Sequence, residues 1–262
     1  MNPETAEYDN EALSYDKTRF HGRFGNYLDC MHKKLVNSLL YSRLGLVLDA
    51  GTGTGRFAIW LAEKGYRVIA IDISKLMLEE AKRKTRTIHA DVGLVQADLH
   101  SLPYKKGVFD ACICINVIDH ISDISRFFGE VGYALKPEGF LVFNFSNLQS
   151  PYLPIAIVIN LTEHALFSRG RIHSRWSTIK EISVMLSEAD FDIKEIRGCI
   201  IASPIPLKDR LVWIVKSINL LFETSRCKFF CGSLFVCAHK TSVRLKSDKI
   251  KSHSHAMCDV ER

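Results

Sequence analysis

Short apolar runs alternate with longer amphipathic stretches along most of this 262-residue chain. Leu46 to Ala50 is an apolar run that ends in a glycine-rich turn, as expected of a strand buried on both faces of a parallel sheet. Phe57 to Lys64 continues as a helix, and Gly65 stops it. Arg67 to Ile71 reads as a second buried strand, and Ser74 is placed to cap a helix from Lys75 to about Lys84. Gly93 to Ala97 and Phe109 to Asn116 give two more strands. Ile124 to Leu135 is a helix, Pro137-Glu138-Gly139 a turn, and Phe140 to Phe145 a fifth strand. Further on, Ser177 or Thr178 opens a helix to about Ala189, and Phe191 to Arg197 is a sixth strand. Leu207 to Phe222 is an amphipathic helix, and Ser233 to His239 a seventh strand. This alternation predicts an α/β fold: a doubly wound, mostly parallel sheet with helices on both faces.

The texture divides the chain into four parts. Residues 1–44 are polar with scattered aromatics, which suits a helical cap or lid. Residues 45–146 form the core that would bind a nucleotide. Residues 147–240 elaborate a substrate site and complete the sheet. Residues 241–262 are polar and basic, a composition that favours disorder.

The chemistry concentrates around Asp49-Ala50-Gly51-Thr52-Gly53-Thr54-Gly55. Glycines after a strand let the backbone turn sharply and let a ligand approach closely. Ligands of such sheets bind beyond the carboxyl ends of the strands. The spacing is G-x-G-x-G rather than the dinucleotide G-x-G-x-x-G, and no Gly-Lys-Ser/Thr follows for a phosphate loop. A carboxylate beside the turn suits a cationic ligand better than a diphosphate. S-adenosylmethionine (SAM) carries a sulfonium and an ammonium and no phosphate. Asp72, at the end of the second strand, is placed to accept from ribose hydroxyls. Asp98, ending the third, is placed to accept from an adenine amino group.

Four segments carry a resemblance: VLDAGTGTGRFAIWLAEKGYRVIAIDIS, QADLHSLPY, FDACICINVIDHI and LKPEGFLVFN. In this order they are similar to class I SAM-dependent methyltransferases, the branch that includes ubiquinone and menaquinone biosynthesis enzymes. The resemblance implies a Rossmann-like, seven-stranded sheet whose last strand is antiparallel. It implies SAM as cofactor, with S-adenosylhomocysteine as product and no metal. Asp49, Gly51 and Gly53 would lie along the methionine part, with Thr52 beside them. Asp72 and Ile73 would meet the ribose, Asp98 and Leu99 the adenine, and Asn116 the floor near the donor. Tyr15 and Arg19, in a Y-D-x-x-R element, match the family's N-terminal lid.

Methyl transfer from a sulfonium is a direct displacement, so alignment and exclusion of water dominate. A base is needed only where the acceptor loses a proton. His120, past the fourth strand, is the leading candidate, with packing in the turn as its other reading. Asp119 could orient it, bind a cationic acceptor, or merely start a helix. His164, His173, Arg175 and Trp176 are candidates for contacting the acceptor. The stretches 147–176 and 207–222 are rich in apolar residues, consistent with a small hydrophobic acceptor or with plain core. A basic, apolar surface near Arg169 and Arg171 raises peripheral membrane contact as a variant.

Composition adds limits. The net charge of +6 is concentrated near the Lys240–Lys251 segment rather than on a nucleic-acid face, so no nucleic-acid partner is expected. No apolar run reaches the roughly 18 residues of a membrane span, no secretory signal is apparent, and a cytoplasmic protein is expected. The eight cysteines lack paired C-x-x-C spacing, and Cys112 and Cys114 should share one face of a strand. His253, His255 and Cys258 fall in the tail, where disorder outweighs metal binding. Competing readings are an RNA methyltransferase, a SAM-fold binding protein without turnover, and a nicotinamide oxidoreductase, which the glycine spacing opposes.

Overall fold

The computed structural model describes residues 8–40, 45–151, 153–154, 175–200, 216–217, 219, 222–223 and 226–241. His164 and His173, most of the 207–222 helix and all but the first residue of the 241–262 tail lie outside the described residues.

After a helical stretch at residues 8–11 come a short helix α1 (Tyr15–Arg19) and a long one, α2 (Gly22–Leu39). Phe24, Leu28, Met31, Leu35 and Leu39 recur every three or four positions, so α2 buries a single apolar stripe. The core then alternates β1 (Leu46–Ala50), α3 (Arg56–Glu63), β2 (Arg67–Asp72), α4 (Lys75–Thr87), β3 (Val92–Gln96) and β4 (Phe109–Cys114). A 3₁₀ turn (Ile118–His120), α5 (Ile124–Ala134) and β5 (Leu135–Asn147) follow. After them come β6 (Trp176–Ser177), α6 (Ile179–Glu188), β7 (Phe191–Cys199) and β8 (Ser233–Lys240).

The strands join in the order β3-β2-β1-β4-β5-β8-β7. β1 to β5 run parallel, and β8 lies antiparallel between β5 and β7. The expected sheet, with its last strand reversed, is therefore present. An eighth strand was not foreseen: β6 is two residues long and pairs with the end of β5, Ser146 beside Trp176. No periodicity can announce so short a strand. The predicted Pro137-Glu138-Gly139 turn lies inside β5 as a local irregularity. Leu135 pairs with Phe109 and Phe140 with Ala111, and Glu138 takes a positive φ of 64° between them.

Strand alternation sends successive side chains to two apolar layers. Leu141, Phe143 and Phe145 join Phe127, Phe128 and Leu186 under α5 and α6, while Val142 faces Leu35, Leu61 and Phe235 under α2 and α3. Cys112 and Cys114 both belong to the first layer, as their spacing implied. Among the described residues no disulfide forms, and no helix is long and apolar enough to cross a membrane.

Helix starts follow their caps. Ser74 accepts from the Met77 N–H at 3.1 Å, and Asp123 accepts from Arg126 at 2.9 Å. Thr178 and Glu181 exchange hydrogen bonds in a capping box. Because β1 to β4 are parallel, the loops at their carboxyl ends gather at one edge, and a cleft opens there.

Candidate functional site

The glycine-rich turn forms the back of the cleft. The N–H groups of Gly51 and Thr52 both donate to the Ile71 carbonyl at 2.9 Å, which folds the turn over the end of β2. Gly51 has a φ of 75°, and a Cβ there would lie 2.5 Å from the Val117 side chain, so only glycine fits. Gly53 also has a positive φ, 54°, but a Cβ would meet nothing within 4 Å. Open space beside a left-handed backbone leaves room for a ligand to approach the main chain.

Three carboxylates edge this space, each delivered by a strand end. Asp49 is buried, 2% exposed, and accepts from the Thr52 hydroxyl at 2.6 Å. Burial pushes its pKa up to about 6, opposed by the Thr52 hydrogen bond and by Arg56. Asp72 accepts from the backbone N–H of Gly53 at 2.8 Å and of Ser74 at 2.9 Å. Burial raises its pKa as well, against those backbone donors. Asp98 is half exposed, and donors from His100 hold its pKa below the usual carboxylate range, the backbone N–H first.

The floor is Asn116, a non-glycine residue with φ of 62°. Its N–H donates to Asn144 Oδ1 at 2.7 Å, and Asn144 Nδ2 returns a bond to Asn116 Oδ1 at 3.0 Å. Asn144 also donates to Ser233 Oγ at 3.0 Å, so β4, β5 and β8 meet beneath the site. This reciprocal pairing holds a conformation in which an L-residue is otherwise strained.

The N-terminal segment covers the turn. Tyr8 and Tyr15 line the cleft, and Asp9 accepts from the Ser74 hydroxyl. Asp16 accepts from Thr54 Oγ1 at 2.7 Å and pairs with Lys84. Arg56, which follows the glycines, pairs with Asp29 on α2 and lies 3.9 Å over the Phe20 ring.

Thr52, Ile73, Leu99 and His120 line the cleft with Asp49, Gly51, Gly53, Asp72, Asp98, Asn116 and Tyr15. Arg19 does not. It pairs with Glu11 at 3.1 Å and lies 4.8 Å over the Tyr15 ring, so it ties the N-terminal segment to itself. Arg175 and Trp176 are also absent from the lining. The Arg175 N–H donates to the Asp119 carbonyl at 2.8 Å, and Trp176 sits in β6. Asp119 sits in the first turn of the 3₁₀ segment Ile118–His120. Its carboxylate accepts from the Ser146 N–H at 2.9 Å and hydroxyl at 2.6 Å, clamping the 3₁₀ turn to β5. Burial lifts its pKa to about 6 against those bonds.

His120 packs edge-on against Tyr8, ring centres 5.7 Å apart. Tyr8, His100 and Ser122 were not foreseen as site residues. They enter the cleft because loops distant in sequence converge, and nothing in local spacing signals that; His100, two positions past Asp98, came nearest to a detectable signal.

Comparison with known proteins adds an independent line. Residues 48–143 match the methyltransferase domain family. The ubiquinone biosynthesis O-methyltransferase of Rickettsia akari is 28% identical over 157 residues, covering 59% of this chain and 61% of that protein. The chain thus spans about six tenths of the length of that curated relative. Among solved structures, a SAM-dependent methyltransferase from Thermotoga maritima, described as a possible histamine N-methyltransferase, superposes with a TM-score of 0.64 at 18% identity. That match covers 91% of this chain and 100% of the other. Magnesium protoporphyrin IX methyltransferase from Synechocystis, solved with bound S-adenosylhomocysteine, gives a TM-score of 0.56 at 22% identity, covering 82% and 83%. At these identities the superpositions speak for the fold. Taken with the matched domain and the sheet order, they show that the chain has the fold of SAM-dependent methyltransferases and that its residues 48–143 are similar to the methyltransferase domain family.

Proposed function

We propose that the protein transfers a methyl group from SAM to a small, predominantly apolar acceptor. The observation that carries this reading is the donor end of the cleft, where three carboxylates and an open glycine surround one space. The residues fit the group chemically. Buried Asp49 is suited to a cationic amino-acid moiety, Asp72 to a pair of ribose hydroxyls, and Asp98 to an exocyclic amine. Bound there, SAM supplies a methyl group already activated by its sulfonium.

The protein's own task is then to align and to exclude water. Asn116 and the folded glycine turn fix the floor and back, and the lid residues Tyr8 and Tyr15 shield the space from above. His120 faces the same cleft and is the candidate base for an acceptor hydroxyl. Val117, Ile121 and the Tyr8 ring give that end an apolar wall, consistent with a hydrophobic ring or chain. The name of the Rickettsia relative supports a hydroxyl-bearing small molecule.

Calorimetric titration of the purified protein with S-adenosylhomocysteine, with NAD as control, tests the reading. One-to-one binding of the first alone is expected. Binding of NAD, or of neither ligand, would overturn it. Transfer of labelled methyl from SAM to a panel of phenolic and catecholic probes then tests the acceptor class.

A further inference from the structure

His100 makes a connection that the methyl-donor reading leaves unexplained. Asp98 lies on the loop after β3 with its side chain 52% exposed. An exposed aspartate ordinarily samples several rotamers, and ordering it opposes binding. Here two donors from one residue converge on Oδ1: the His100 backbone N–H and the ring Nδ1, each at 2.8 Å. The other side of the ring reaches the loop before α5. The Asp123 backbone N–H points at Nε2 from 3.3 Å, and Ser122 Oγ lies 3.2 Å away.

A backbone N–H can only donate, so Nε2 must present its lone pair. The proton of the neutral ring then sits on Nδ1, directed at Asp98. Asp123 is itself fixed, because its side chain caps α5 through the Arg126 N–H at 2.9 Å. A continuous path therefore runs from the α5 N-terminus through the imidazole to one oxygen of Asp98. With Oδ1 engaged twice, Oδ2 is the acceptor left for a ligand in the cleft.

We propose that His100 is a positioning residue that aims Asp98 Oδ2 at the 6-amino group of a purine and so sets a preference for adenine over 6-oxopurines. The proposal rests on the methyl-donor reading above. A 6-oxo base presents an acceptor where the amine presents a donor, so a fixed carboxylate repels it. A carboxylate free to rotate away discriminates less. Positional freedom, rather than loss of the acid, is what His100 removes.

The test is titration of the full chain with S-adenosylhomocysteine and with its 6-oxo analogue, S-inosylhomocysteine. The wild-type protein is expected to prefer the adenine ligand. His100→Ala is expected to weaken S-adenosylhomocysteine roughly tenfold, a charge-assisted hydrogen bond's worth, while barely changing the analogue. The ratio of the two affinities should fall by a similar factor. His100→Asn, whose amide N–H can lie near the Nδ1 position, should restore most of the ratio. His100→Gln, which reaches the Ser122 side but not Asp98, should not, and it carries the test should the alanine variant fail to fold. Equal weakening of both ligands, or an unchanged ratio in the alanine or glutamine variant, overturns the proposal. Failure of the wild-type protein to bind S-adenosylhomocysteine would instead overturn the methyl-donor reading.

Discussion

The two ends of the cleft are built differently. At the donor end, Asp49, Asp72 and Asp98 sit at or just beyond strand ends, and each is held by donors within about twenty positions in sequence. At the end proposed for the acceptor, Tyr8 packs edge-on against His120, across more than a hundred residues. One end is set by local chain geometry, the other by which distant segments pack together. Chemistry common to a whole family belongs at the first end. Chemistry that differs between members belongs at the second.

Substitutions should separate the two ends, and the largest effect is expected at the acceptor end. If His120 is the base, His120→Ala should lower kcat by about a hundredfold or more while leaving S-adenosylhomocysteine affinity nearly unchanged. Equal losses in kcat and affinity would mean that the two ends are not separable. Next comes Asp72→Ala, which removes a charged acceptor. Affinity for S-adenosylhomocysteine should drop by about 1.5–3 kcal/mol, read by calorimetry. An unchanged affinity would remove Asp72 from the ligand's surroundings.

A pH effect of intermediate size follows from Asp49. Its pKa in the folded protein is pushed up to about 6, and a cationic ligand favours the ionised form. Below pH 6 the ligand must displace a proton, so affinity should fall by about tenfold per unit. Asp49→Asn should flatten that profile. Stability of the ligand-free protein responds with the opposite sign. A carboxyl raised in the folded state contributes stability that is complete below its unfolded value of 3.8 and is lost as pH rises through about 6. Titrations at several pH values and thermal melts of the ligand-free protein should therefore diverge.

The smallest effect is expected at the lid. Asp16→Asn removes the ion pair with Lys84 but keeps a partner for Thr54, so affinity should change by at most about 1 kcal/mol and lose part of its salt dependence. Stopped-flow release of S-adenosylhomocysteine would show a faster off-rate; an unchanged rate would mean that this pair does not hold the lid.

The same contrast governs what could be read from the chain. Strand-end acids and glycine spacing are written into consecutive residues, and their convergence on one cleft was legible from them. Asp119 was not, because the partner of its carboxylate, Ser146, lies 27 residues away. Arg19 fell within a recognised element, yet its guanidinium is committed to Glu11 and Tyr15 rather than to the cleft. Trp176 reads as a candidate acceptor contact beside Arg175, and the structure pairs its backbone with Ser146 in β6, outside the cleft lining. In each case a tertiary partner took a side chain, or a backbone, that local pattern had assigned elsewhere.

The floor beneath Asn116 also bears on how the protein reaches its native state. Asn144 joins Ser233 across 89 positions, and Ser233 opens β8, the last strand in chain order among the described residues. Closing so long a loop is entropically unfavourable until the strands on either side reward it, so contacts of this kind tend to form late. A chain that has assembled β1 to β5 would have its glycine turn and all three acids, yet lack the third member of the hydrogen-bonded group under them. Binding of the nucleoside would then tighten only as β8 docks, and ligand affinity during refolding would time the arrival of the final strand.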